Sequence, residues 1–132
     1  MIGLDTNILV RFLVDDDPVQ NEKARVFLSS RSFDDPVFVS AVTIAETVWV
    51  LNRRLKFPIA SVIAILRDLL ASDGMIVERA DELGQLIAAD AIPGTDIADY
   101  LIAWAGTSAG CSHTITFDRR AAGSVPSMEL LA

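Results

Sequence analysis

Four acidic residues of this chain, Asp5, Glu46, Asp99 and Asp118, stand where apolar structure ends or is interrupted. Asp5 follows Met1-Ile2-Gly3-Leu4, and Asp118 follows His113-Thr114-Ile115-Thr116-Phe117. Glu46 lies inside Ala41-Val42-Thr43-Ile44-Ala45-Glu46-Thr47-Val48-Trp49-Val50-Leu51, and Asp99 inside Ile97-Ala98-Asp99-Tyr100-Leu101-Ile102-Ala103-Trp104. A charge in such company is costly unless something compensates it. Carboxylates converging from remote segments repel one another, and a divalent cation removes that repulsion. An all-oxygen donor set selects hard ions, Mg2+ or Mn2+, over zinc. Ions held this way serve phosphodiester or phosphoryl chemistry. Other chemistries lack parts. His113 is the one histidine and reads as a strand-start residue rather than a catalyst, so a Ser-His-Asp triad or a metal site built on histidines is not favoured. No Gly-rich phosphate loop is present.

The elements that must position these acids follow from apolar periodicity and capping signals. Met1 to Leu4 reads as a strand and Thr6 to about Leu13 as a helix. Asp17 caps a second helix that starts at Pro18 and runs to about Ser29, with Ala24, Phe27 and Leu28 inward. A strand over Val37 to Val39 leads to Ser40, which caps a long helix to about Leu55. Pro58 starts the next helix, to about Ala71, carrying Ile59, Val62, Ile63, Leu66 and Leu70 on one face. These two helices form an antiparallel hairpin. Met75 to Glu78 is a third strand, and Ala80 to Asp90 a helix. Thr95 caps the helix holding Asp99, and Gly110 ends it. His113 to Thr116 is a fourth strand, and Met128 to Leu131 a short edge strand. The alternation predicts a single α/β domain over residues 1–132 with a mainly parallel sheet of four or five strands flanked by helices. In such sheets the working site lies beyond the carboxyl ends of the strands, where Asp5 and Asp118 fall.

Each acid also has a plainer role open to it. Asp5, Thr6 and Asn7 all cap helices well; Thr6 or Asn7 can cap while Asp5 faces a cation. Thr43-x-x-Glu46 resembles a capping box, but Ser40 is the better cap and frees Glu46. Asp96 suits the helix dipole, whereas Asp99, one turn deeper, suits a ligand. Asp118 can be a turn residue beside the Thr116 hydroxyl. Arg11, Arg53, Arg54, Arg119 and Arg120 are candidates for phosphate contacts.

Composition sets outer bounds. The chain has 132 residues, of which 52% are hydrophobic and 22% charged, enough for a real core. Its net charge of −7 argues against a general nucleic-acid coat protein, though not against a nuclease. No apolar run is long enough to span a membrane, and no signal peptide is evident. The single Cys111 reads as a small buried hydrophobe in a reducing cytoplasm.

In this order, Asp5-Thr6-Asn7, Glu46, Asp96-Ile97-Ala98-Asp99-Tyr100-Leu101-Ile102-Ala103 and Thr116-Phe117-Asp118-Arg119 resemble a PIN-domain ribonuclease. More narrowly, the chain is similar to the VapC toxins of type II toxin–antitoxin modules, from Met1 to about Ala122. The resemblance implies a PIN-like three-layer sandwich and an endoribonuclease that needs Mg2+ or Mn2+ and cuts tRNA or ribosomal RNA. It implies Asp5, Glu46, Asp99 and Asp118 as catalytic and metal-binding quartet, supported by Thr6, Asn7, Asp96 and Thr116. Arg11, Arg53 and Arg119 are the candidates for contacts to the RNA, with a merely solvated surface as their plainer reading. The resemblance further implies a homodimer and a VapB-type antitoxin. The rival is a Mg2+-dependent phosphotransfer domain of receiver or haloacid-dehalogenase type. Such domains want a second Asp beside the first, where this chain has Asn7, and a late Lys, whereas none follows Lys56. A non-catalytic binding module is the third reading.

Overall fold

Three short polar side chains start three helices in the N-terminal half. Asp5 precedes α1 (Thr6–Leu13), Asp17 precedes α2 (Pro18–Ser29) and Ser40 precedes α3 (Ala41–Trp49). Their side-chain oxygens accept backbone N–H groups of Thr6 at 2.7 Å, Gln20 at 3.1 Å and Thr43 at 3.1 Å. Two of these caps end strands directly. β1 (Ile2–Gly3) runs into Asp5 and β2 (Val37–Val39) into Ser40, so both helices leave the same sheet edge. The computed structural model describes residues 1–89 and 97–131, in two compact units, Met1–Ala89 and Asp90–Ala132.

In the first unit β1, β2 and β3 (Met75–Val77) form a parallel sheet in chain order, with Ile2 opposite Val37 and Val37 opposite Met75. Parallel neighbours require helical crossovers, which α1–α2 and α3–α4 supply, α4 being Ile59–Leu70. The buried stripe of α4 is Val62, Leu66 and Leu69, at the spacing of one helix face, with Leu70 turned partly outward. α5 (Ala80–Ala88) follows β3 and packs on α4. On α2 the inward residues are Asn21, Ala24 and Leu28. Phe27 is only half-buried, with the Arg31 guanidinium 4.9 Å over its ring. Asn21 stays polar in the core because its amide donates to the Arg11 carbonyl at 2.8 Å, satisfying the end of α1.

The long third helix expected to about Leu55 changes character at Val50. Val50–Arg54 is a π-helical turn, in which Leu55 N–H donates to the Val50 carbonyl at 2.9 Å. Thr47, on the last turn of α3, is fully buried, and its hydroxyl has no hydrogen-bond partner among the described residues. A buried orphan hydroxyl costs stability, while a methyl of the same shape does not. Thr47→Val is therefore expected to raise unfolding stability by about 1 kcal/mol, read as a higher urea midpoint at unchanged slope. A lower midpoint would mean that the hydroxyl is satisfied in solution.

The second unit holds α6 (Ile97–Ser108), β4 (Thr114–Thr116), α7 (Arg119–Ser124) and β5 (Met128–Leu130). Gly110, at φ +95°, ends α6 in a Schellman motif: its N–H bonds the Thr107 carbonyl, and Cys111 N–H bonds the Gly106 carbonyl, both at 3.0 Å. That motif leaves Cys111 exposed on the connection, not buried as its residue type suggested. Gly106 lets β4 approach α6, since a Cβ there would lie 2.9 Å from the Thr114 hydroxyl. β4 and β5 pair in parallel with α7 as their crossover, so among the described residues the strands occur as groups of three and two. The sequence signals had marked no helix at Arg119–Ser124; its cap, Asp118, looked like a turn residue. Thr95 and Asp96 lie outside the described residues.

Candidate active site

The carboxyl edge of the three-stranded sheet carries the first pair of acids. Asp5 is itself the N-cap of α1, where its Oδ1 accepts the Thr6 N–H at 2.7 Å. The expectation that Thr6 or Asn7 would cap and leave Asp5 wholly free is thus corrected. A carboxylate at a helix N-terminus gains both that hydrogen bond and the dipole. Only one of its oxygens is used. Glu46 lies in the second turn of α3 and does not close a capping box, because Thr43 N–H goes to Ser40. Instead the Thr6 hydroxyl donates to Glu46 Oε1 at 3.2 Å. Thr6 therefore holds one oxygen of each acid, through its backbone and its side chain.

Several contacts fix α3 against the sheet edge. The Thr43 hydroxyl lies 3.4 Å from the Leu4 carbonyl, immediately before Asp5. Glu78, just after β3, accepts the Ala41 N–H at 2.7 Å, so an acid joins Ser40 in satisfying the start of α3. Glu78 had read only as the end of a strand. An acid following a strand and facing the first turn of a neighbouring helix is a signal that needs tertiary structure to recognise.

Asp5 and Glu46 line one cavity of about 360 Å³, together with Thr6, Asn7, Arg11, Asp16 and Arg54. A separate hollow of about 780 Å³ also borders Asp5, Asn7 and Arg11 and is lined further by Lys23 and Phe27 of α2. Asn7 makes no side-chain hydrogen bond among the described residues, so Thr6, not Asn7, orders Asp5. Arg11 is engaged: its Nη1 lies 2.9 Å from Asp16 Oδ1, and its Nε donates to Gln20 Oε1 at 2.7 Å. Arg53, expected near the substrate, does not line the cavity. An unbroken α-helix repeats every 3.6 residues and would set Arg53 over Glu46 two turns on. The π turn adds a residue to that repeat and brings Arg54 round in its place.

The other two acids belong to the second unit. Asp118 caps α7, its Oδ1 accepting Arg120 N–H at 2.9 Å and Ala121 N–H at 3.0 Å. Thr116 Oγ1 accepts the Asp118 N–H at 3.0 Å, so this hydroxyl does fix the acid's backbone. Asp99 is half-buried in the first turn of α6. Arg119 and Arg120 are exposed at the start of α7. Among the described residues no three Asp, Glu, His or Cys side chains gather closely enough to hold a metal. The Asp5–Glu46 pair nonetheless fits a hard ion. Each acid keeps one oxygen without a hydrogen bond among the described residues, and the neighbouring donors are oxygens. Mg2+ commonly takes just one or two protein carboxylates and keeps several waters.

Paired carboxylates at the carboxyl edge of a parallel sheet make an acidic site of the kind that can hold a hard divalent ion. The family model described as PIN domain matches residues 2–123, and the chain belongs to that family. PIN domains are metal-dependent nuclease folds, which does not favour the phosphotransfer alternative. No curated protein and no solved structure matches the chain. Among the described residues no helix is long and apolar enough to cross a membrane.

Proposed function

We propose that this protein is a Mg2+- or Mn2+-dependent endoribonuclease, the VapC-type toxin of a toxin–antitoxin module, with tRNA or ribosomal RNA as substrate. The observation that carries the reading is the cavity in which Asp5 and Glu46 meet, within a chain that belongs to the PIN-domain family. Asp5 and Glu46 would hold the ion, with Asp99 and Asp118 as the further ligands. Bound there, a hard divalent ion supplies Lewis-acid polarisation and charge neutralisation for phosphodiester hydrolysis. Thr6 limits both acids to a single orientation through its two hydrogen bonds, so less order must be imposed when ligand arrives. A second hollow that also borders Asp5, Asn7 and Arg11 adds concave surface beside the cavity for a substrate longer than a mononucleotide.

The partners belong to the same proposal: a second copy of the chain, and a VapB-type antitoxin that places an Arg or Lys in the acidic cavity. A guanidinium pairs with carboxylates through charge-assisted, often bidentate hydrogen bonds, which suits such a plug. Purified protein, free of partner, is expected to cleave total RNA with Mg2+ or Mn2+ and to stop on addition of EDTA. Mapping the new RNA ends identifies the substrate. Intact RNA after long incubation with either ion would overturn the nuclease reading.

A further inference from the structure

We infer that Arg54 binds a backbone phosphate of the RNA at the Asp5–Glu46 cavity, a role that rests on the nuclease reading above. A phosphodiester approaching two carboxylates meets like charge, and a cation on the cavity wall offsets it. Two arginines line the wall, and they are not equivalent. Arg11 is already paired with Asp16 and hydrogen-bonded to Gln20. Arg54 makes no ion pair with any described residue, and it is exposed, so its guanidinium is available to a ligand. A guanidinium suits phosphate because its planar fork can donate two parallel hydrogen bonds.

The backbone points the same way. Two adjacent arginines, Arg53 and Arg54, follow Glu46 along one helical segment. The π turn that follows α3 and contains both arginines, closed by Leu55 N–H to the Val50 carbonyl at 2.9 Å, decides which one faces the acids. Residues Glu46, Val50 and Arg54 then line the cavity at a spacing of four, and Arg53 does not. π turns are frequent at functional sites, and this one ends the helical segment that carries Glu46. Here the redirected group is a cation, turned toward the acids.

The test measures binding and cleavage of a short labelled single-stranded RNA by wild type, R54A, R54K, R53A and R67A. Binding is read by anisotropy with Ca2+ in place of Mg2+, and cleavage with Mg2+. R54A should bind about tenfold more weakly or worse, raise KM more than it lowers kcat, and flatten the salt dependence of log K by about 0.7. R54K should recover part of the affinity, and R67A, on exposed α4 surface, should match wild type. Equal binding by R54A and wild type overturns the assignment, as does a larger loss from R53A. If wild type binds but does not cleave while R54A loses binding, the phosphate contact stands and the nuclease reading fails. If wild type neither binds nor cleaves, both fall.

Discussion

Asp5→Asn should reduce RNA cleavage by a hundredfold or more while leaving the melting temperature close to that of wild type. The two halves of this expectation come from different functions of one side chain. As N-cap of α1, Asp5 needs only an oxygen that accepts the Thr6 N–H at 2.7 Å, and an Asn carbonyl provides one. Asn and Asp cap about equally well, so α1 should persist. As the proposed metal ligand, Asp5 needs its charge and its second oxygen, and the amide supplies neither. Charge stabilisation by a bound metal is worth several kcal/mol in the transition state, and about 3 kcal/mol is roughly a hundredfold in rate. Glu46→Gln removes the partner charge and should behave alike, since its Oε1 can still accept from Thr6. Circular dichroism melting beside single-turnover cleavage separates the two functions. Wild-type cleavage by both variants would remove Asp5 and Glu46 from the site.

The same dual use explains what was readable in the sequence and what was not. Asp17-Pro18, Ser40 and Gly110 act through backbone geometry within a few residues, and each is found in the role its chemistry predicts. The strands at Val37–Val39 and Met75–Val77 are equally local, apolar runs bounded by breakers. Asp5 was harder, because capping and ligation ask for the same residue at the same strand end. Thr6 was assigned a supporting role, but its particular act, one bond to each acid, depends on a helix forty residues away. The π turn had no local signature: Val50-Leu51-Asn52-Arg53-Arg54 reads as ordinary helix, and the register shift that exchanges Arg53 for Arg54 is a tertiary outcome. Asp118 shows the reverse case. It was read as a turn residue, because the six-residue helix that it caps carried too little apolar pattern to be seen. Asp96, expected beside Asp99, lies outside the described residues.

Leu9→Ala should be the most destabilising of simple substitutions near the site, and it should do so without touching the chemistry. Leu9 is fully buried on α1, which packs against both α2 and α3. Removing three buried carbons costs the transfer energy of those atoms and leaves a cavity that close-packed neighbours only partly fill. Such Leu→Ala changes cost about 2–5 kcal/mol. Natural domains hold about 5–15 kcal/mol in all, so the variant would stand near its threshold. The loss should appear as a fall of roughly 10 °C or more in Tm and a lower urea midpoint. At low temperature, where the variant is still folded, Asp5 keeps its cap and Glu46 its Thr6 hydroxyl, so cleavage per folded molecule should remain near wild type. Leu9→Ala and Asp5→Asn thus form a crossed pair, one moving stability without rate and the other rate without stability. A cost under about 1 kcal/mol for Leu9→Ala would mean that α1 is not enclosed by α2 and α3. The wall that brings Asp5 to Glu46 would then have lost its support.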